Sequence, residues 1–234
     1  MAALPRAIHD LEEEFAALAG EIRESPEKQA ISLLHGIVME MWRNLPGNGA
    51  EPAGGFPDIA ELYRTAPPME AEAINEPLPP GTPAPTFALK DPSGQVVRLE
   101  DFRGRPLVIV FYPLDWSPGC SQQLDLYQQE LDDFRRRDAE LVAISVDSLY
   151  SHGAWAAVRQ ITFPLLADFH PKGGVARAYS VWREPDGFSE RALYVIDRQG
   201  TIAYSQVTPY VHHVPDIYEL FDALDQISGA AQGR

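Results

Sequence analysis

The sequence contains a single cysteine, Cys120, at a position where a sulfur can be reactive. It ends the stretch VIVFYPLDWSPGC, residues 108–120, in which apolar residues typical of a buried strand give way to residues that start helices. Ser117 fits the N-cap and Pro118 the first helical position, so Cys120 falls in the first turn. Because free backbone amides and the positive end of the helix dipole favour a thiolate there, we expect a nucleophilic sulfur.

The neighbours of this sulfur decide between two interpretations, because a lone cysteine is more often a small buried hydrophobic residue than a nucleophile. Gly119 permits close approach of a ligand to the backbone, and Pro113 turns the chain at the strand end and can cover the sulfur. One sulfur cannot form a disulfide within the chain or supply a multi-thiolate zinc site. Any thiol chemistry of this chain therefore uses Cys120 alone.

Composition and charge exclude several other classes of function. The 234 residues include 34 acidic and 19 basic residues, a formal charge of -15 that repels nucleic-acid phosphates and anionic lipid. The longest apolar run, residues 107–112, is far shorter than the roughly 20 residues of a membrane helix, and the acidic N-terminus does not match a secretory signal. We therefore expect a cytoplasmic protein with neither nucleic-acid nor membrane partners.

From residue 77 onward, strands alternate with helices, which predicts an α/β domain with a mixed central sheet and helices on both faces. Continuous apolar runs at 107–112 and 141–146 are typical of central strands, and an apolar stripe within 124–134 predicts a helix between them. The other predicted elements are hairpins at 87–99 and 192–206, a helix at 153–160, a strand at 163–167 and a last helix at 215–227.

Residues 1–76 are predicted to form a separate N-terminal extension with a linker. Apolar residues at alternating steps of four and three within 4–22, and a second stripe within 31–45, indicate two amphipathic helices that form a hairpin. A Gly/Pro-rich linker at 46–57 follows. The hairpin either mediates assembly with another subunit or folds back on its own domain, and both interpretations stay open.

The arrangement of Pro113, Ser117 and Cys120 resembles the PxxxSxxC signature of the peroxiredoxins, the alkyl hydroperoxide reductase and thiol-specific antioxidant (AhpC/TSA) family. The resemblance covers about residues 78–207 and includes the stretches ISVD, FPLLAD and ERALYVIDRQGTI. It implies a thioredoxin-like fold and a thiol-dependent peroxidase that reduces hydrogen peroxide or organic hydroperoxides. We further expect a homo-oligomer, namely a dimer, and no cofactor; His212 and His213 are adjacent and have no partners at ligand spacing, so we expect no metal.

The same resemblance implies a role for each site residue. Cys120 would be the peroxidatic cysteine, whose thiolate attacks the terminal peroxide oxygen and becomes a sulfenic acid. Arg191 matches the family's arginine and would hold the thiolate and polarise the developing oxyanion, while Ser117 would bond thiolate and peroxide. Pro113 would shield the sulfur from water, and the amides of Gly119 and Cys120 would complete an oxyanion cradle.

Three further features refine this expectation. Gln123 stands where many relatives have an acid, so a neutral hydrogen-bond partner replaces a charged one. With no second cysteine, the cycle must be of the one-cysteine kind, in which an external thiol attacks the sulfenic acid. That thiol would be a small molecule or a thioredoxin- or glutaredoxin-like protein. Trp116 could line an apolar mouth for organic hydroperoxides, although aromatic residues near a core are usually part of the core.

Two alternative functions compete with a peroxidase, and the sequence argues against the first. WSPGC at residues 116–120 stands where thioredoxin-like disulfide reductases carry WCGPC, but Ser117 occupies the nucleophile position, which disfavours such a reductase. A non-catalytic redox sensor or partner-binding module with a thioredoxin-like fold is the other alternative. Only the kinetics of Cys120 with peroxide would separate it from a peroxidase.

Overall fold

The structure, a computed structural model, describes residues 71–232. The predicted helical hairpin lies outside these residues, and its role in assembly stays a prediction. Residues 71–75 form hydrogen bonds with the α/β domain, while the predicted domain boundary at residue 76 stays a prediction.

The elements in chain order are β1 (Ala88–Lys90), β2 (Val96–Arg98), β3 (Leu107–Phe111), α1 (Pro118–Gln129), α2 (Leu131–Arg136), β4 (Glu140–Ser145), α3 (Leu149–Arg159), β5 (Leu165–Ala167), α4 (Gly174–Ala178), β6 (Trp182–Arg183), β7 (Phe188–Ser189), β8 (Ala192–Ile196), β9 (Ile202–Val207) and α5 (Ile217–Gln232).

Seven strands form one mixed sheet in the order β2-β1-β5-β4-β3-β8-β9. The strands β3, β4 and β5 run parallel, whereas β8 pairs antiparallel with β3 and β1 pairs antiparallel with β5. The predicted hairpins are present as β1–β2 and β8–β9. A separate two-stranded hairpin, β6–β7, was not predicted, because strands of two residues are too short to show a periodic pattern.

Side chains of β3 alternate between two hydrophobic clusters, one on each face of the sheet, and every residue of the strand is buried. Val108 and Val110 belong to the cluster that includes residues of α1, α2, α3 and α5. Ile109 and Phe111 belong to the opposite cluster, which includes residues of α4 and β6. Burial on both faces is what a continuous apolar run in a central strand predicts.

The helix predicted between the two central strands is interrupted at Glu130. With φ −94° and ψ 13°, this residue leaves the helical range, and its N–H is shared between the carbonyls of Leu126 and Gln128. The chain therefore forms α1 and α2 instead of one helix. The predicted apolar face is nevertheless preserved, since the rings of Tyr127 and Phe134 pack edge to face with centroids 5.9 Å apart.

Within residues 71–232, no helix is both long and apolar enough to cross a bilayer.

Candidate active site

The pairing of two central strands explains how two residues that are far apart in sequence come together. Phe111, the last residue of β3, pairs with Ala192, the first residue of β8. The residue after Phe111 and the residue before Ala192 therefore lie at the same edge of the sheet. At this edge the chain leaves β3 through a short loop and enters α1, which carries Cys120, while Arg191 precedes β8 directly.

Cys120 lies in the first turn of α1, as predicted. Ser117 is the N-cap, with φ −71° and ψ 144°, and Pro118 is the first helical residue. The first N–H groups of a helix have no intrahelical partner and carry a partial positive charge, so they favour an anion near Cys120. The cysteine itself is completely buried. A substrate reaches the sulfur only after a neighbouring group moves aside.

Arg191 donates hydrogen bonds to three acceptors and is 1% exposed. Its Nη2 lies 3.3 Å from Cys120 Sγ, its Nε donates to the carbonyl of Val211 at 2.8 Å, and its Nη1 donates to Gln123 Oε1. Among residues 71–232, no carboxylate forms an ion pair with this guanidinium. A buried cation without a counter-ion costs several kcal/mol, and a thiolate at Cys120 would supply a compensating negative charge 3.3 Å away.

Gln123 links the guanidinium to a phenol on the same helix. It lies one turn after Cys120, and its Oε1 accepts from Arg191 while its Nε2 donates to the Tyr127 hydroxyl at 3.2 Å. Burial raises the pKa of Tyr127, although the hydrogen bond from Gln123 and the charge of Arg191 oppose that rise. The phenol therefore stays protonated. Tyr127 was not predicted as part of the site, although its i,i+4 spacing from Gln123 is a signal that could have identified it.

Gly119 has a different neighbour from the one predicted. A Cβ at this position would lie 3.0 Å from Arg191 Nη2 and 3.3 Å from the carbonyl oxygen of His212. Thus the close approach that glycine permits is made by the arginine and a backbone carbonyl, where a ligand was predicted. The role of the Gly119 amide in an oxyanion cradle stays a prediction.

The remaining predicted site residues surround the same turn, with mixed outcomes. Ser117 Oγ is buried and makes no hydrogen bond to any residue of 71–232, so the predicted bond from this hydroxyl to the sulfur is not formed. Pro113 is buried and follows β3 after one intervening residue, and its shielding role stays a prediction. Trp116 is 37% exposed and donates from Nε1 to Ser151 Oγ at 3.2 Å, so it lies at the surface of the site. Its contact with substrate stays a prediction.

Comparison with known proteins identifies the family. Residues 80–205, more than half of the chain, match the family model described as AhpC/TSA family. The chain belongs to the AhpC/TSA family. This peroxiredoxin is 38% identical over 128 residues to alkyl hydroperoxide reductase E of Mycobacterium tuberculosis. The aligned region covers 54% of this chain and 84% of that protein. It is 32% identical over 172 residues to the chloroplastic peroxiredoxin Q of Sedum lineare, which covers 72% of this chain and 91% of that protein.

Structural similarity leads to the same family. The reduced 2-Cys peroxiredoxin of Plasmodium vivax superposes with a TM-score of 0.60 and 27% identity, covering 67% of this chain and 86% of that one. The predicted thioredoxin-like fold is thereby confirmed, and so is the predicted activity: the chain is a thiol-dependent peroxidase. The thioredoxin-like reductase considered above is not supported.

The peroxiredoxin also has a buried polar network that was not predicted, and this network anchors the loop between β3 and α1. Asp115 accepts from the hydroxyls of Tyr112 at 2.8 Å and Ser151 at 2.7 Å, and its Oδ2 lies 2.9 Å from His152 Nδ1. Its backbone N–H donates to Asp147 Oδ2 at 2.8 Å. Burial, reinforced by the charge of Asp115, raises the pKa of Tyr112 and Asp147. The loop that leads to the reactive cysteine is therefore held by α3 and by Asp147, which follows β4.

Proposed function

We propose that this peroxiredoxin reduces hydrogen peroxide and small organic hydroperoxides through a one-cysteine cycle. Cys120 is the nucleophile and Arg191 stabilises the negative charge that develops during the reaction. One observation carries the proposal: Nη2 of a fully buried arginine lies 3.3 Å from the sulfur of the chain's one cysteine, and no carboxylate within the described residues pairs with that arginine. The guanidinium is therefore available both to the thiolate and to the peroxide.

In the first half of the cycle, the Cys120 thiolate attacks the terminal oxygen of the hydroperoxide. An S–O bond forms as the O–O bond breaks, so the sulfur is oxidised by two electrons and the peroxide is reduced by two. The leaving alkoxide or hydroxide takes a proton from water and departs as alcohol or water. Arg191 stabilises the developing oxyanion, and Ser117 Oγ, which has no hydrogen-bond partner in the described part of the chain, bonds a peroxide oxygen.

In the second half, an external thiol restores Cys120. A thiolate attacks the sulfenic sulfur, hydroxide leaves and is protonated to water, and a mixed disulfide forms. A second external thiol attacks that disulfide, which releases the Cys120 thiol and oxidises the two external thiols to a disulfide. Because Cys120 is completely buried, we favour a low-molecular-weight thiol over a thioredoxin- or glutaredoxin-like protein, since it needs a smaller opening.

Stopped-flow kinetics test this proposal. The reduced full chain is mixed with hydrogen peroxide or with tert-butyl hydroperoxide, and oxidation of Cys120 should be at least about 10³-fold faster than that of a free thiol. Intact mass after one equivalent of peroxide should show one added oxygen that a sulfenic-acid reagent captures. Ordinary thiol reactivity would refute the peroxidase cycle and leave the redox sensor as the better reading. Glutathione and a thioredoxin are then compared as reductants at equal concentration.

We further propose that the working form is a homodimer in the cytoplasm. The resemblance to the family supports the dimer, and the single cysteine supports the location, because the cytoplasm keeps thiols reduced. Light scattering of the full chain should give twice the mass of one chain. A mass equal to one chain at micromolar concentration would contradict the dimer.

A further inference from the structure

Residues 71–75, here named the strap, run beside the segment that holds Arg191. Val211, whose carbonyl accepts from Arg191 Nε, also donates its N–H to the carbonyl of Ala71 at 2.8 Å. A second backbone hydrogen bond, from the N–H of Ala73 to the carbonyl of Pro209 at 2.9 Å, extends this pairing. One residue, Val211, thus bonds the strap on one side and the arginine on the other.

The strap also bonds the residue that precedes Arg191 in sequence. Glu190 is completely buried, and its Oε1 accepts from the backbone N–H groups of Ile74 at 2.9 Å and Asn75 at 3.2 Å. The same oxygen accepts from the Asn75 side-chain Nδ2 at 3.0 Å. The other oxygen, Oε2, accepts from Arg183 Nη1 at 2.9 Å. A buried carboxylate needs such donors, and within residues 71–232 the hydrogen bonds to Oε1 all come from the strap.

Asn75 is the side chain that completes the arrangement. Its Nδ2 donates both to Glu190 Oε1 and to the carbonyl of Trp182 at 2.9 Å, so it joins the strap to two neighbouring backbone segments. The chain thereby holds Arg191 from two directions. Glu190 fixes the backbone next to the arginine, and Val211 orients its Nε.

We propose that the strap is a positioning element for Arg191 and that Asn75 is its key positioning residue. This inference rests on the proposed function, because it concerns the arginine that activates Cys120. Misplacement of a reacting group by about 1 Å can cost about 10²-fold in rate, and Arg191 Nη2 stands only 3.3 Å from the sulfur. Loosening the strap is therefore expected to slow the reaction with peroxide while leaving the fold intact.

Three single variants of the full chain test the role of Asn75. Asn75→Ala removes both donors, and oxidation of Cys120 by hydrogen peroxide should slow about 10-fold. Asn75→Asp keeps the size of the side chain but places a carboxylate against Glu190, so it should slow the reaction more than Asn75→Ala does. If Asn75 only filled space, Asn75→Ala would be the slower of the two variants. Ile74→Ala is the matched control, since this side chain is exposed and its backbone N–H is retained. Its rate should equal that of the wild type.

Two further readouts separate positioning from a general structural effect. Reduction of the sulfenic acid by glutathione should keep its wild-type rate in Asn75→Ala, because the strap acts through the oxidation step. In an Arg191→Ala background, Asn75→Ala should cause no additional loss. If Asn75→Asp does not fold, Asn75→Ala and the double variant decide the question.

The contradicting outcomes are equally distinct. An Asn75→Ala rate equal to the wild type, or an equal loss with and without Arg191, would overturn the strap proposal. So would an equal slowing of the peroxide and glutathione steps. Wild-type protein measured in parallel separates a failure of the proposed function from a failure of the strap proposal. Slow oxidation of the wild type by peroxide refutes the proposed function. Fast oxidation of both the wild type and Asn75→Ala refutes the strap proposal alone.

Discussion

Replacing Arg191 with alanine should slow the reaction of Cys120 with hydrogen peroxide by about 10³-fold. For unit charges 3.3 Å apart, Coulomb's law with an effective dielectric constant of about 20 gives about 5 kcal/mol. Because each 1.4 kcal/mol is about tenfold in rate, this sets a ceiling of roughly 10³ to 10⁴. The amides of the first turn of α1 remain in the variant and retain part of the stabilisation, so the lower end is expected.

Two companion variants sharpen this experiment. Arg191→Lys keeps the charge but loses the planar fork that serves Val211, Gln123 and the sulfur together, so an intermediate loss of about 10²-fold is expected. Arg135→Ala removes an exposed arginine of α2 that pairs with Asp132, and it should react like the wild type. Rates come from stopped-flow traces of the reduced protein at pH 7. An Arg191→Ala rate within about threefold of wild type, with an unchanged melting temperature, would refute the reasoning.

Three other changes have defined outcomes. Gly119→Ala places a Cβ 3.0 Å from Arg191 Nη2, so we expect the peroxide rate to fall about tenfold with little change in melting temperature. Gln123→Leu leaves buried donors of Arg191 unsatisfied, and urea titration should show about 1–3 kcal/mol lost from the free energy of unfolding. Burial raises the pKa of Asp168, so the carboxyl group binds its proton more tightly in the folded state than in the unfolded state. The contribution of this group to the free energy of unfolding is therefore present at low pH and falls as the pH rises through the folded-state pKa. The stability difference between wild type and Asp168→Asn should therefore be smaller at pH 7 than at pH 4, by urea titration.

Local signals were sufficient to predict where the nucleophile lies. Ser117 and Pro118 start α1 at the predicted residues because N-cap and first-turn preferences depend on only a few neighbours. Asp168 shows a similarly local interaction, with partners no more than 8 residues away in sequence. Its carboxylate accepts from the N–H groups of Val175 and Ala176 at the start of α4.

Long-range contacts could not be predicted in the same way. Arg191 was connected to Cys120 only through the family resemblance, because nothing local to either residue determines that β8 pairs with β3 in this register. The hydrogen bond from Gln123 to Tyr127 depends on the orientation of the buried Gln123 amide. The guanidinium of Arg191 fixes that orientation, because it donates to Oε1 and leaves Nε2 facing the Tyr127 hydroxyl. The strap was missed because residues 71–75 precede a Pro-rich stretch whose composition predicts a linker.

Two buried acids, Asp115 and Glu190, lie within five residues of Cys120 or Arg191 in sequence, and each is bonded to partners other than Arg191 in a protein of charge -15. Asp115 is satisfied by hydroxyls and contacts His152, and Glu190 is satisfied by Arg183 and the strap. Neither forms an ion pair with Arg191, so the guanidinium keeps its charge for the sulfur. Surface acids more than about 8 Å away are screened at physiological salt, whereas a buried cation at 3.3 Å is not. The arrangement of these few donors, more than the net charge of the chain, therefore determines which charged group faces the sulfur.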